Sequence, residues 1–434
     1  MTKYKVVFIC SEYFGFKPRK NGLVPSRVHG GFGYLTRTKA EFLAKKGHEV
    51  YVVVPDENYG LQLNDGKYEE INGVVIRTYK SREKTGKLYK MLLDQISMRK
   101  PNDNFIRVLS ELGADIYELE DIPPLTFMSA FDGRIPALTV LQDPFDYYDI
   151  NLLMHSESNF IKIPNKGKLG YKIPRSNKVT LNRFVIDHFH KKNYIDPLTD
   201  FLNNVLNKGS MISGEADFIS DKSKRLFKLT ERPSTLRNPI RIDSVNVKKY
   251  DSPTICWVAR WDPQKRPDVA LLVAKKLPEV NFVFVGTATN NSANPKRNYM
   301  VVESYLKSRF SDLKNVKYLG FIPEDEKREI ISRSWALLNT SIREGLPITF
   351  LEALSLSTPL ISYVNPDNYV GMAGLWVPKY DVDTFVEVIR NGVKNPELLL
   401  EYGKTGRKIS EQNHDINKIM SQHEEIYNKL LHNK

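Results

Sequence analysis

The sequence predicts an α/β protein built as two doubly wound, parallel-sheet domains. Three observations predict it. The chain's 434 residues exceed one ordinary domain and suit two of about 200 residues each. Short, continuously apolar runs alternate with helical segments, which implies parallel strands covered on both faces. The Asn-Pro punctuation within residues 236–243 (LRNPIRID) reads as a connector, and after it the alternation starts again.

In chain order, Val6 to Cys10 is an apolar run of strand length, followed by glycines 30, 31 and 33. Leu35, Phe42 and Leu43 then fall on one helical face, and Gly47-His48 ends that helix. Val50 to Val54, Val74 to Ile76, Ile116 to Leu119 and Ala137 to Leu141 are the next predicted strands. Residues 151–210 are polar, basic and interrupted by Pro164, Pro174 and Pro197, and read as an irregular insertion or flap. In the second half, Thr254 to Ala259, Asn281 to Val285, Val316 to Leu319, Ala336 to Asn339 and Leu360 to Tyr363 read as strands, with a helix over 267–276. The segment 411–434 is helical, with Ile416, Ile419, Met420, His423, Tyr427, Leu430 and Leu431 on one stripe.

Composition narrows the function classes. Apolar residues make up 41% and charged residues 26%, which excludes disordered and collagen-like chains. No apolar run reaches the roughly 20 residues that span a bilayer. The start, MTKYKVVFIC, enters a strand without a signal-peptide layout, so a cytoplasmic protein is expected. Cys10 and Cys256 lie in apolar runs and read as two buried thiols. The net charge is +13, and residues 151–244 hold 17 Lys and Arg against 9 Asp and Glu. Such a surface attracts phosphorylated ligands or an anionic membrane, or simply keeps the protein soluble. His188 and His190 beside Lys191-Lys192 read as a solvated basic helix, and residues 143–149 (DPFDYYD) have the look of a metal-binding carboxylate cluster.

Three motifs carry chemistry. In VHGGFGYLTR, residues 28–37, Gly30 and Gly31 between strand and helix let backbone N–H groups approach an anion. In ARWDPQKRPD, residues 259–268, Arg260 follows a strand and Lys265 precedes a helix. Cations at the carboxyl end of a parallel strand face the ligand crevice and can grip a diphosphate. In SIREGLPITFLEALSLSTPLIS, residues 341–362, Glu344 sits before a helix that Pro347 opens, and Glu352 lies within it among apolar neighbours. A carboxylate in such surroundings needs a partner.

The order of these motifs resembles the family 4 retaining glycosyltransferases of GT-B fold. The opening segment, with GGFG and KKGHEVYVVVP, is also similar to bacterial glycogen and starch synthases. The R-x4-K pair, the VGT strand end, YLGFIP and the E-x7-E spacing follow in family order; the resemblance is close over 1–56 and 236–365 and loose over 57–235.

The resemblance implies two Rossmann-like domains facing across a cleft. Residues 1–243, including the basic region 151–210, would form the acceptor domain. Residues 244–415 would bind the nucleotide sugar, and 416–434 would pack back on the first domain. It implies that Arg260 and Lys265 bind the donor diphosphate, with Gly30, Gly31 and Gly286 giving close backbone approach. Glu344 would contact the transferred sugar beside Gly345 and Leu346, Glu352 the ribose, and Phe321 and Ile322 the base. The donor would be a UDP-, GDP- or ADP-sugar, the acceptor a glycan, a lipid-linked molecule or a small molecule, and no cofactor or metal would be required. Two departures stand out. Val28-His29 replace the synthase lysine, and Gln142-Asp143 stand where family members often carry a histidine, which makes both candidates for the sugar face. Two other classes were weighed: an epimerase or phosphorylase on the same fold, which the EGLP segment disfavours, and a basic nucleic-acid-binding protein, which the ordered donor motifs disfavour.

Overall fold

The computed structural model describes residues 3–10, 13, 16–19, 22–25, 31–55, 68–79, 103–120, 135–142, 195–244, 248–262, 264–288 and 299–432. These fall into two compact units. One draws on residues 1–144, 187–239 and 416–434, and the other includes residues 240–415.

The first unit opens with β1 (Lys5–Ile9), the β2 (Phe16–Arg19) and β3 (Gly22–Pro25) hairpin, and α1 (Gly31–Lys45). It continues through β4 (Glu49–Pro55), β5 (Tyr68–Ile71), β6 (Val74–Tyr79), α2 (Asp103–Leu112), β7 (Ile116–Glu120) and β8 (Ala137–Leu141). Next come α3 (Asp196–Asn207), β9 (Met211–Gly214), α4 (Asp217–Leu226) and β10 (Ser234–Thr235). The strands form one sheet in the order β10-β9-β8-β7-β1-β4-β6-β5. All its pairs are parallel except β5 on β6, an antiparallel edge.

The second unit contains β11 (Thr254–Val258), α5 (Pro267–Lys276), β12 (Asn281–Val285), α6 (Tyr299–Arg309), β13 (Val316–Gly320), α7 (Glu324–Arg333) and β14 (Ala336–Asn339). It goes on through α8 (Ile348–Ser355), β15 (Leu360–Ser362), α9 (Tyr369–Ala373), β16 (Gly374–Trp376), α10 (Val382–Val393) and α11 (Pro396–Asn413). Its parallel sheet has the order β13-β12-β11-β14-β15-β16. Counted from β11 this is 3-2-1-4-5-6, the doubly wound order in which ligands bind outside the carboxyl ends where the winding reverses. Here that point lies between β11 and β14.

Physical reasons for these elements are local. Val6 to Ile9, Val52 to Val54 and Ile255 to Trp257 are buried throughout, as strands covered on both faces must be. Ala270, Leu271, Val273 and Ala274 of α5 pack with Phe385 and Ile389 of α10 on one face of the second sheet. α11 crosses very close to the loop after α8: a Cβ on Gly403 would stand 2.3 Å from the Ser357 carbonyl oxygen, so only glycine fits.

The final helix, α12 (Ile416–His432), belongs to the first unit. Met420, Tyr427 and Leu430 lie in the same core cluster as Val6, Phe8, Val52 and Leu43. It is separated from α11 by His414 and Asp415, so the predicted single helix over 411–434 is two helices with a break. Ile240 bridges to Asp415 there, and His414 Nε2 lies 2.7 Å from the Tyr369 hydroxyl.

The structure also corrects the irregular reading of 151–210 over its last part. Residues Asp196–Asn207 form a helix with Leu198, Phe201, Leu202 and Val205 buried. That i, i+3, i+4, i+7 stripe is diluted in the sequence by asparagines and aspartates between its members. Residues 151–194 lie outside the described residues. Cys10 and Cys256 are buried, and neither is in a disulfide among the described residues.

Candidate functional site

The segment after β11 is shaped by its own side chains. Asp262 Oδ1 accepts the backbone N–H groups of Gln264 and Lys265, each at 3.1 Å, a turn typical of aspartate. The Arg260 side chain stays 40% exposed, with its guanidinium 3.4 Å from Asp262 Oδ2. Arg266 adopts a left-handed backbone (φ 51°) and clamps Asp268 with two bonds of 2.9 and 2.8 Å, which starts α5.

The segment after β14 is sewn to it. The Thr340 hydroxyl donates to the Lys265 carbonyl at 2.8 Å and accepts the Trp257 indole N–H at 3.0 Å. Gln264 Nε2 donates to the Arg343 carbonyl at 3.0 Å, and Ile342 N–H to the Gln264 carbonyl at 3.2 Å. Lys265 Nζ thereby reaches Glu344 Oε1 at 2.6 Å, and the amide of Asn339 stands 3.5 Å from the same oxygen. The two loops flanking the winding reversal thus bring Lys265 and Glu344 together, and Arg260 lies on the same loop as Lys265.

Gly345 and Leu346 are buried and lead to Pro347, the residue before α8. No side chain caps that helix and none of its first-turn residues is acidic, so its N-terminal N–H groups face no competing anion from the helix itself. One turn further on, Glu352 is 1% exposed. Its Oε1 meets Lys327 Nζ at 2.7 Å, while Oε2 is buried with no hydrogen-bond partner. Lys327 also pairs with Glu324 at 2.8 Å. Burial pushes the Glu352 carboxyl above the ordinary glutamate range, against the pull of Lys327. Burial acts to lower the Lys327 ammonium, but the two carboxylates outweigh it and hold it above the ordinary lysine range.

Gly286 closes β12 at φ +112°, and a Cβ there would stand 2.0 Å from the Ala259 carbonyl oxygen. Its N–H donates to the Gly320 carbonyl at 2.7 Å, which ties the ends of β12 and β13. Beyond Gly320, Phe321 is 50% exposed and Ile322 half-buried, just before α7. Apart from Glu352, which lies inside α8, the donor-side residues read from the sequence in this unit sit in the segments that follow the carboxyl ends of β11, β12, β13 and β14.

In the first unit, Gly31 is the exposed first residue of α1. Gly30, Asp143, His188, His190 and the run 143–149 lie outside the described residues. Gln142 follows β8 and is buried, donating from Nε2 to Glu120 Oε2 at 3.1 Å; its Oε1 meets no partner among the described residues.

Sequence reasoning missed the charge cluster into which Gln142 leads. Lys39 of α1 is buried between Glu118 at 2.9 Å and Glu120 of β7. Glu118 Oε2 is also held by the Tyr427 hydroxyl and by His423 Nδ1 at 3.2 Å, both from α12. Burial opposes ionisation of Glu118, yet His423 and Lys39 outweigh it and hold the carboxyl well below its usual range. Glu120 is pushed up to about 8 by burial, opposed by Lys39 and reinforced by the Glu118 charge. The alternation in YELE gave the only hint, and it reads as a half-exposed strand. Lys327 was missed as well. Its i, i+3 spacing from Glu324 is visible, but its partner Glu352 is 25 positions away.

Comparison with known proteins agrees with this geometry. Residues 240–409 match the family described as glycosyl transferases group 1. Over its whole length the chain is similar to sucrose-phosphate synthase from Thermosynechococcus elongatus, with a TM-score of 0.66, 12% identity and 100% of both chains covered. It is also similar to Anabaena HepE in complex with UDP and glucose, with a TM-score of 0.60 and 13% identity over 97% of this chain and 98% of that one. A third is WaaG, a glycosyltransferase involved in lipopolysaccharide biosynthesis, with a TM-score of 0.60 and 14% identity over 97% and 99%. At these identities the likeness establishes the fold alone. The chain therefore has a GT-B fold, and its residues 240–409 are similar to the glycosyl transferases group 1.

Proposed function

We propose that the chain is a retaining, metal-independent glycosyltransferase. It moves a hexose-type sugar from a nucleoside-diphosphate sugar to a glycan, lipid-linked or small-molecule acceptor. The observation that carries this reading is the Lys265–Glu344 pair at the winding reversal, with Arg260 on the loop that carries Lys265. A cation suited to a diphosphate and a carboxylate suited to sugar hydroxyls meet there.

The chemistry follows from these residues. Cleavage of the anomeric C–O bond leaves negative charge on the departing phosphate oxygen. Arg260, Lys265 and the uncapped N-terminus of α8 stabilise that charge where it develops. Each well-placed donor is worth about 3 kcal/mol in such a site. The acceptor oxygen bonds to the anomeric carbon from the same face, and its proton passes to the leaving phosphate. Glu344 orients the sugar through its hydroxyls and is not a nucleophile. Glu352 offers a carboxylate oxygen to the ribose. Because one structural relative, Anabaena HepE, is a complex with UDP or with UDP-glucose, a uridine donor is favoured over a guanosine or adenosine one.

A thermal-shift panel of UDP, GDP, ADP and their sugars tests the reading. A ligand at 100 times its dissociation constant stabilises by about 2.7 kcal/mol. One nucleoside diphosphate should shift the transition, and its sugar should do so too. A protein that ignores all of them and is stabilised by RNA or DNA would instead be the basic nucleic-acid-binding protein.

A further inference from the structure

Five large apolar side chains stand well exposed among the described residues, and Trp376, at 51%, is the most exposed of them. Exposure alone assigns nothing, since single apolar residues on a surface are ordinary. Trp376 differs because its ring is fixed. It ends the edge strand β16, and its indole N–H donates to the carbonyl of Tyr363, the residue just past β15, at 2.9 Å. The N–H of Val377 beside it donates to the Ser362 carbonyl at 2.9 Å. The polar atom of the indole is thus satisfied within the protein, and a broad apolar ring is held open to solvent.

The support behind the ring runs to the candidate site. The Tyr363 ring meets that of Tyr380 edge-on, with centroids 5.1 Å apart, and the Tyr380 hydroxyl donates to the Thr340 carbonyl at 2.6 Å. Thr340 in turn donates to the Lys265 carbonyl. Trp376 is therefore held by the framework that positions Lys265, at the carboxyl edge of the same parallel sheet. β16 is two strands from β14, which at about 4.8 Å per strand places it about 10 Å along that edge from the strand that leads to Glu344.

The loop that follows Tyr363 is polar and braced. Asn365 Oδ1 accepts the N–H groups of Val370 and Gly371 at 2.9 and 3.3 Å, and Asn365 Nδ2 donates to Oδ1 of the exposed Asn368 at 2.9 Å. A fixed aromatic face with amides in the neighbouring loop suits a sugar. The C–H groups of a pyranose lie on the negative face of the ring, and its hydroxyls find partners in amides. A ring already locked in place also loses little freedom on binding. Lys379 is paired with Asp381 at 3.1 Å, which leaves little positive charge beside the ring to draw an anionic lipid surface.

We propose that Trp376 is a stacking platform for a sugar ring of a glycan, on the second unit and on the same sheet edge as the donor site. The inference takes the glycan acceptor from the proposed function and deepens it: of the three acceptor classes it selects the glycan, whose reacting end meets the donor sugar while a ring further along rests on Trp376.

The test uses the full chain with maltohexaose, isomaltohexaose, cellohexaose and chitohexaose as probes. At least one should bind the wild type and shift its tryptophan emission, because Trp257 and Trp261 are buried and Trp376 is not. Trp376→Leu, which keeps apolar bulk and loses the flat ring, should weaken that probe roughly tenfold by calorimetry, and Trp376→Phe, which keeps a ring face, distinctly less. Both variants should unfold at the wild-type temperature, since the side chain is half in solvent. The proposal is overturned if no probe binds, if Trp376→Leu binds the probe like the wild type, or if Trp376→Phe loses as much as Trp376→Leu. It is equally overturned if Trp376→Leu abolishes co-sedimentation with phosphatidylglycerol vesicles and leaves sugar binding intact. A wild type that binds a probe through Trp376 but none of UDP, GDP and ADP would overturn the donor-site reading and uphold this one.

Discussion

The ammonium of Lys265 lies 2.6 Å from Oε1 of Glu344, and this contact joins the loop after β11 to the loop after β14. In the proposed site the two residues serve different parts of one donor, so their variants should separate. Glu344→Ala should lower turnover by roughly 10²–10³ while the free nucleoside diphosphate binds as tightly as before, since it lacks the sugar. Lys265→Ala and Arg260→Ala should weaken nucleotide binding as well as turnover, and their losses should not add, since both serve one leaving group. Calorimetry beside turnover assays reads this split. Near-normal turnover in Glu344→Ala, or wild-type nucleotide binding in both cation variants, would defeat the assignment.

Gly286 should not tolerate a side chain. Its φ of +112° and the 2.0 Å approach of the Ala259 carbonyl oxygen leave no space for a Cβ. Gly286→Ala should destabilise the protein by about 1–3 kcal/mol or more, seen as a lower urea midpoint, and should weaken nucleotide binding because the ends of β11 and β12 must part. An unchanged midpoint would show that the loop yields freely.

Catalysis should persist in excess EDTA, because Arg260, Lys265 and the α8 N-terminus supply the positive charge that a divalent ion would otherwise bring to the diphosphate. Loss of turnover on chelation, restored by Mn²⁺ or Mg²⁺, would contradict this.

The buried cluster of the first unit sets a pH dependence. Glu120 is pushed up to about 8 from an ordinary 4.5. Between these values the folded state holds a proton that the unfolded state releases. Its contribution to stability is therefore complete below pH about 4.5 and is lost as pH rises toward 8. Glu118 has the opposite sign: its carboxyl is held well below the usual range, so its contribution is lost as pH falls below that range. Glu120→Gln should remove the decline between pH 5 and 8, measured as urea midpoint against pH. Lys39→Met should cost about 3–5 kcal/mol, the scale for leaving a buried partner charge unpaired. Parallel pH profiles for wild type and Glu120→Gln would refute the first expectation.

An acceptor at an anionic membrane would use the basic region 151–244, at about 1 kcal/mol for each basic residue near the surface. Among the described residues no helix is long and apolar enough to cross a membrane. Co-sedimentation with liposomes should rise with anionic lipid and fall with salt. Binding that ignores both would leave the charge to solubility.

Some of this was legible in the residues and some was not. The strands Ala137–Leu141, Asn281–Val285 and Ala336–Asn339 stand where the apolar runs put them, because a strand covered on both faces writes its burial into every position. Lys265 and Glu344 were each visible as residues beside a strand end. Their contact was not, because it depends on strand order, and β14 lies next to β11 only after two other strands have been laid on the far side. Glu118 and Glu120 were hidden for a related reason. Alternating acids in a strand signal an exposed face, and only the packing of α1 and α12 on that face turns them into a buried cluster. The buried Glu352 oxygen without a partner among the described residues is a property of geometry that no spacing encodes.

The place of α12 has a consequence for synthesis. The first unit's sheet is complete once β10 has been made, yet Met420, Tyr427 and Leu430 of its core, and two of the groups that hold Glu118, arrive only after residues 240–415. At roughly 5–20 residues per second that interval is on the order of ten to thirty seconds. During it, the apolar face of the early sheet and a buried-to-be carboxylate stand without their cover. The earlier-made half of the protein therefore completes its core last.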